Sequence, residues 1–270
     1  MQAMAHAERL SSHLASQIEA QTRDSNWTLA HYTFVASVTT LAAECDIAHS
    51  PAMSVASSQA IPRLQLAFIG ESAELLANYT TFLISHGSEM ELLVDEAQRA
   101  VVEQAFKVLS SEPQWQMVFH GEIDALDTGP ATELADTDLP AMQALAKSER
   151  REDSRVELRF AVQNPLQQGP AFGIWEDNRL VAMGVTNLHL PGVVQIGNFV
   201  AKKTTREDSR SEQMHITAVV SALVKAHAED MRVFCIIPQQ QKAAVELLET
   251  LSFVRERPMY RMRCILKEDV

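Results

Sequence analysis

The segment Val193–Val200, VVQIGNFV, runs into a Lys202-Lys203 pair and a polar stretch, then into a long helix with one apolar face, HITAVVSALVKAHAED. In that helix Ile216, Val219, Val220, Leu223 and Val224 recur at spacings of three and four, which predicts a single buried stripe. Strand and stripe must both be covered, so the fold has to be built around them. A buried strand that feeds a loop and then a helix N-terminus also presents backbone N–H groups in the way that suits a phosphate.

Length and composition narrow the options. At 270 residues and 46% apolar, the chain is long enough for two packed domains of ordinary size. A net charge of -12 argues against broad affinity for nucleic acid or anionic lipid, because both require a basic surface. An anionic ligand therefore needs a local cationic or N–H-rich pocket. Cys45, Cys235 and Cys264 are far apart and lack metal-ligand spacing, so they read as reduced thiols in a cytoplasmic protein. The N-terminal stretch lacks a basic start and an apolar core, and no run reaches membrane-spanning length. The sequons at Asn26 and Asn78 then count as chance matches.

Along the chain, residues 4–20 have helical spacing, and 27–60 are rich in Ala, Ser and Thr without a clear period. LQLAFIG predicts a strand, SAELLANYTTFLISHG a helix closing at Gly87, MELLVD a strand, EAQRAVVEQAFKVL a helix and WQMVFHGEI a strand. The turn-rich DTGP near Thr128 marks a boundary. TDLPAMQALAKSE follows as a helix, with Asp138 as its cap and Pro140 in its first turn. AFGIW and RLVAMGVTNLHL, separated by Glu176-Asp177-Asn178, predict a hairpin. VVQIGNFVA is the next strand, VFCIIP a short core strand, QKAAVELLETLSF a helix and MYRMRCIL the last strand. The fold class is α+β, with a mostly antiparallel central sheet flanked by helices. The expected domains are residues 1–128, a smaller α/β domain, and residues 129–270.

The order and the residues together resemble the GNAT superfamily of acetyl-CoA-dependent N-acetyltransferases, in its two-domain form. The pieces that carry the resemblance are GPAFGIWEDNRLVAMGV, QIGNFVA, ITAVVSALVKAHAE and KAAVELLETLSFV, covering about residues 131–266. It implies a central strand whose bulge leaves backbone groups free for the pantetheine of acetyl-CoA. Asn198, Phe199, Val200 and Ala201 would line that slot, their side chains being core or not. The resemblance also implies a phosphate loop of the pattern R/Q-x-x-G-x-G/A. Here TTREDSRSEQMHIT has no glycine. Aligned on the helix, Ser211 takes the first motif position, Met214 the first glycine and Ile216 the last position, with His215 between them; aligned on the basic residue, Arg210 comes first. Glu207, Asp208 and Glu212 put negative charge where a pyrophosphate would sit.

In the last helix the family often carries an asparagine and, seven residues on, a tyrosine that protonates the departing thiolate. Gln241 and Leu248 stand there, and Ser252 replaces a glycine. Leucine donates no proton; the catalytic candidate is Tyr260 on the final strand, which either reaches a thiol-side cleft or belongs to an ordinary edge or core strand. Other histidines, including His120, His189 and His227, read as core or surface residues. The expected function is acyl transfer from acetyl-CoA to a small-molecule or peptide amine, by a monomer or homodimer that binds neither nucleic acid nor membrane. The alternative is a degenerate GNAT-fold protein that serves as a ligand-binding or interaction module.

Overall fold

The computed structural model describes residues 45–50, 53–58, 64–70, 72–83, 88–148, 166, 169–190, 192–202 and 209–267. The helix expected over residues 4–20 lies outside these, as does the close of a helix at Gly87. The chain forms two compact units, Met1–Gln116 with Arg257–Val270, and Met117–Glu256. The expected boundary at residue 128 differs from this division, because the last strand returns to the first unit. No described helix is long and apolar enough to cross a membrane.

The first unit contains β1 (Cys45–Ser50), β2 (Met53–Ser58), β3 (Leu64–Gly70), α1 (Ala73–Leu83), β4 (Met90–Val94) and α2 (Glu96–Ala105). β5 (Phe106–Phe119) then carries the chain into the second unit. β1, β2 and β3 are antiparallel neighbours, and β3 pairs in parallel with β4 across α1. Leu66, Phe68, Leu92, Val94, Val102 and Phe106 share one apolar core there. α2 starts where the Asp95 carboxylate accepts the Gln98 amide at 3.0 Å, a side-chain cap. It stops at Ala105, whereas the sequence predicts a helix through Leu109. Ser110, Ser111 and Pro113 disfavour its continuation, and the chain takes up β5, leaving Leu109 44% exposed.

The second unit contains β6 (Thr132–Leu134), α3 (Leu139–Ser148), β7 (Ala171–Glu176), β8 (Arg179–Leu190), β9 (Val193–Ala201), α4 (Ser209–His227), β10 (Arg232–Pro238) and α5 (Lys242–Thr250). β11 (Phe253–Leu266) leads back to the first unit, where it pairs antiparallel with β4. β6 to β9 run antiparallel in chain order, and β9 pairs in parallel with β10 across α4. The expected mostly antiparallel α+β sheet is therefore present. Asp177 and Asn178 both have positive φ, 46° and 60°, as a two-residue type I′ hairpin turn requires. α3 begins one residue after Asp138, but that carboxylate turns back to accept the Ala135 amide at 2.9 Å rather than capping the helix.

The two faces of this sheet are distinct. Met183 and Val185 of β8 join the cluster formed with Met142, Leu145 and Ala146 of α3. Between them Gly184 faces α4, since a Cβ there would meet Val219 Cγ1 at 2.8 Å and Leu223 Cδ1 at 2.9 Å. The far end of α4 is anchored by His227. The buried Thr186 hydroxyl donates to the Pro170 carbonyl at 2.8 Å, so toward His227 Nε2, at 2.9 Å, it accepts. That geometry places the imidazole proton on Nε2. Burial, reinforced by the neighbouring His189 ring 5.5 Å away, pushes the His227 pKa down and keeps the ring neutral.

A depressed folded-state pKa gives stability that is complete above the unfolded histidine value of about 6.5 and is lost as pH falls below it. His227→Gln keeps a donor without the titration, so the melting temperature of the variant should change less than that of wild type between about pH 7 and 5. Parallel curves would assign the acid sensitivity elsewhere.

α5 ends at Thr250, and Ser252, two residues on with a φ of 65°, takes the left-handed position that glycine usually fills after a helix. The strain costs a non-glycine residue about 1–2 kcal/mol, partly offset by the entropy that glycine gains on unfolding. Ser252→Gly should therefore stabilise by about 0.5–1 kcal/mol, read as a melting temperature about 1–4 °C higher.

Candidate functional site

β9 departs from regular pairing at one point. Met183 faces Val200, yet Val185 faces Gly197, so β9 holds one extra residue across from Gly184. Asn198 supplies the turn in the backbone, at a φ of 51°. Asparagine tolerates this left-handed conformation better than most residues. A little further on Thr186 faces Ile196 while Leu188 faces Gln195, so here β8 holds the extra residue, Asn187. The two opposed bulges cancel. Their side chains meet, Asn198 Nδ2 donating to Asn187 Oδ1 at 2.7 Å.

Gly197 is required by space, not by φ. A Cβ there would lie 2.4 Å from Asn187 Nδ2. Directly paired residues share a face, so Gly197 points to the same side as Val185, the side covered by α3. The asparagine pair therefore sits on the α3 side of the sheet.

On its other edge β9 parts from β10. The parallel pairing covers Val193–Gln195 with Arg232–Phe234 and ends there, although β9 continues to Ala201 and β10 to Pro238. Among the described residues no side chain bonds to the backbone of Ile196–Ala201. Asn198, Phe199, Val200 and Ala201 thus come together on the free edge. Phe199 packs toward Gly184 on the α4 side, Val200 joins the α3 cluster, and Ala201 is buried. What remains for a ligand is backbone.

The start of α4 corrects an expectation. Ser211, Met214, His215 and Ile216 belong to the helix, which begins at Ser209, and not to a loop. Without glycine or proline in this stretch nothing breaks the helix, and Glu212 in its first turn complements the positive end of the dipole. Arg210 is exposed, Met214 is 64% exposed, and Ser211 and Ile216 are half-buried. His215 is engaged elsewhere, its Nε2 3.3 Å from the Glu176 carboxylate at the hairpin end.

Gln241 is exposed just before α5, its amide donating to the Pro238 carbonyl at 3.0 Å. Leu248 is buried with Val245 on the inward side of α5, so it offers a ligand neither a proton nor a surface. Tyr260 lies in the first unit, opposite Val94. The Arg99 guanidinium stacks 4.7 Å from its ring centre, and a hydrogen bond to Glu96 is the main cause holding its phenol pKa above the usual value. Cys235 follows the last paired residue of β10. Burial pushes its thiol up and that of Cys264 up to about 12, so neither is a nucleophile at neutral pH. Sequence reading identified Asn198 and missed Asn187; the Gly197-Asn198 dipeptide inside a strand was the available sign of a bulge.

Because the obstacle to a side chain at 197 is the movable end of Asn187, Gly197→Ala should displace that amide and break its bond to Asn198, costing about 1 kcal/mol. In Asn187→Ala the obstacle is gone, so adding Gly197→Ala there should cost clearly less. Additive losses in the double-mutant cycle would show that the crowding lies elsewhere.

No family model matches the sequence, and no curated protein matches it. Solved structures do. A GNAT-family protein from Novosphingobium aromaticivorans DSM 12444 is 18% identical, with a TM-score of 0.58 over 83% of this chain and 92% of that one. A GCN5-related N-acetyltransferase-like protein from Streptococcus suis 89/1591 is 13% identical, with a TM-score of 0.57 over 93% and 99% of the two chains. A tandem GNAT protein of the clavulanic acid biosynthesis pathway, solved without acetyl-CoA, is 9% identical, with a TM-score of 0.57 over 84% and 85%. The bulged β9, its parting from β10 and the helix between them thus belong to a chain with the GNAT fold.

Proposed function

We propose that this protein transfers an acyl group, acetyl in the first instance, from acyl-CoA to an amine in a reducing, cytoplasmic setting. The observation that carries the reading is the free edge of β9 beyond Gln195, next to a bulge and followed by a helix N-terminus. This edge fits the amide-bearing arm of CoA, which pairs with backbone as a strand does. Acyl-CoA would bring a thioester, open to attack by a neutral amine. In this reading the amides around Asn198 and Phe199 would hold the carbonyl oxygen, an electrostatic role that needs no side chain. Burial leaves Cys235 and Cys264 unsuited to carry the acyl group, which favours direct attack by the amine. Leu248 provides no acid, so positioning carries the rate: the amine nitrogen bonds to the acyl carbon, the C–S bond breaks, CoA leaves as the thiolate of a thiol of pKa about 8.5, and the proton of the attacking nitrogen passes to water.

Glu212 and the buried Leu248 favour a second reading, a GNAT-fold binding module without catalysis. Both readings keep the slot, and the first requires it. Acetyl-CoA at a hundredfold excess over its dissociation constant should stabilise the chain by about 2.7 kcal/mol, visible as a rise in melting temperature. A flat titration at millimolar acetyl-CoA removes the acyl-CoA reading. Glu212→Gln should tighten binding at low salt and lose that advantage at high salt, since a like charge near the phosphates is screened. Saturable binding without transfer to any amine supports the module.

A further inference from the structure

We propose that Asn187 and Asn198 form a positioning pair, which holds the β9 bulge in its ligand-ready shape before acyl-CoA arrives. The inference rests on the acyl-CoA reading above and adds to it the residues that set the acyl end of the slot.

A bulge alone does not need this pair. Glycine at 198 would adopt a φ of 51° without strain. Asparagine instead adds a side-chain bond, 2.7 Å long, to the residue that makes the opposing bulge in β8. The bond therefore ties together the two places where the register slips and comes back. Between them only Val185-Thr186 and Ile196-Gly197 keep the shifted register. Gly197 leaves the room that the Asn187 carboxamide occupies.

The pair contributes little to packing. Both side chains are half-buried, and neither belongs to the apolar cluster beside α3. Its position matters more: Asn198 stands three residues past Gln195, where β9 has left β10. Fixing the bulge in advance removes the reorganisation that a carbonyl oxygen would otherwise demand of the backbone amides on binding. A preorganised bulge should then distinguish an acyl thioester, which has that carbonyl, from free CoA, which does not.

The experiment titrates full-length protein with acetyl-CoA and with CoA by calorimetry, and follows melting in parallel. Wild type should prefer acetyl-CoA by about fivefold, the size of one ordinary hydrogen bond. Asn187→Ala and Asn198→Gly should each bring the ratio close to one while CoA affinity changes little and the melting temperature falls by no more than the few degrees that the loss of one hydrogen bond entails. Asn187→Asp retains an acceptor oxygen for Asn198 Nδ2 and should keep the preference. A role in stability alone would move both affinities together, and that result overturns the inference. So does a wild-type ratio of one, an unchanged ratio in both substituted proteins, or loss of the preference in Asn187→Asp. Should Asn198→Gly fail to fold, the Asn187 variants decide. If wild type binds neither compound, the acyl-CoA reading fails and the inference falls with it; binding of both without effect of the pair overturns the inference alone.

Discussion

One extra residue in β9 governs the second unit. In a regular strand with Asn198 paired like its neighbours, Gly197 and Phe199 would share a face and Val200 would take the other, by the two-residue period of a strand. With Asn198 inserted, Gly197 and Val200 both face α3, and Phe199 turns to the α4 side. The strand thus supplies side chains to both cores while its backbone changes course. The same insertion coincides with the end of the pairing to β10, so beyond Gln195 the described residues pair β9 with β8 alone. The cost is a local irregularity that β8 must answer, and Asn187 answers it.

The sequence revealed those elements whose pattern is local. The hairpin from Ala171 to Leu190, the strand at 193–201 and the stripe on α4 could be read directly, because alternation, a turn of two positive-φ residues and helical spacing are properties of neighbours. Elements decided by distant partners could not. β1 and β2 lie in an Ala- and Ser-rich stretch with little period, and their pairing with each other and with β3 makes them strands. α2 has an apolar spacing that continues past Ala105, but the chain finds better burial for Phe106 as a strand residue. The bond between Asn187 and Asn198 was equally hidden, since it depends on two slips of register in different strands.

The reading of the site divides along the same line. The absence of glycine before α4 and the leucine at 248 were visible as residues, but their meaning depended on geometry. From Ser209 onward the glycine-free stretch is helix, which makes Glu212 a first-turn residue that stabilises α4 while opposing an anion at the same place. Tyr260 was singled out because the final strand could bring it to a thiol-side cleft; the strand pairs with β4 in the first unit, and the ring is held by Arg99 and Glu96.

Why the slot is assigned to the second unit follows from a comparison of the two parallel pairs. In the first unit β3 pairs with β4 over only three residues, Leu64–Leu66 with Met90–Leu92, and then continues to Gly70. There the chain fills its own opening: Gln98, from the first turn of α2, donates through Nε2 to the Phe68 carbonyl at 3.0 Å. A carboxamide against a free strand carbonyl is the contact that the amide of a bound ligand would make. In the second unit the backbone of Ile196–Ala201 receives no such side chain from the described residues. Two openings with the same strand geometry therefore differ in availability, and the difference lies in one glutamine. Among the described residues the stretch of β9 beyond Gln195 lacks such a side chain, and it is also the one equipped with a bulge.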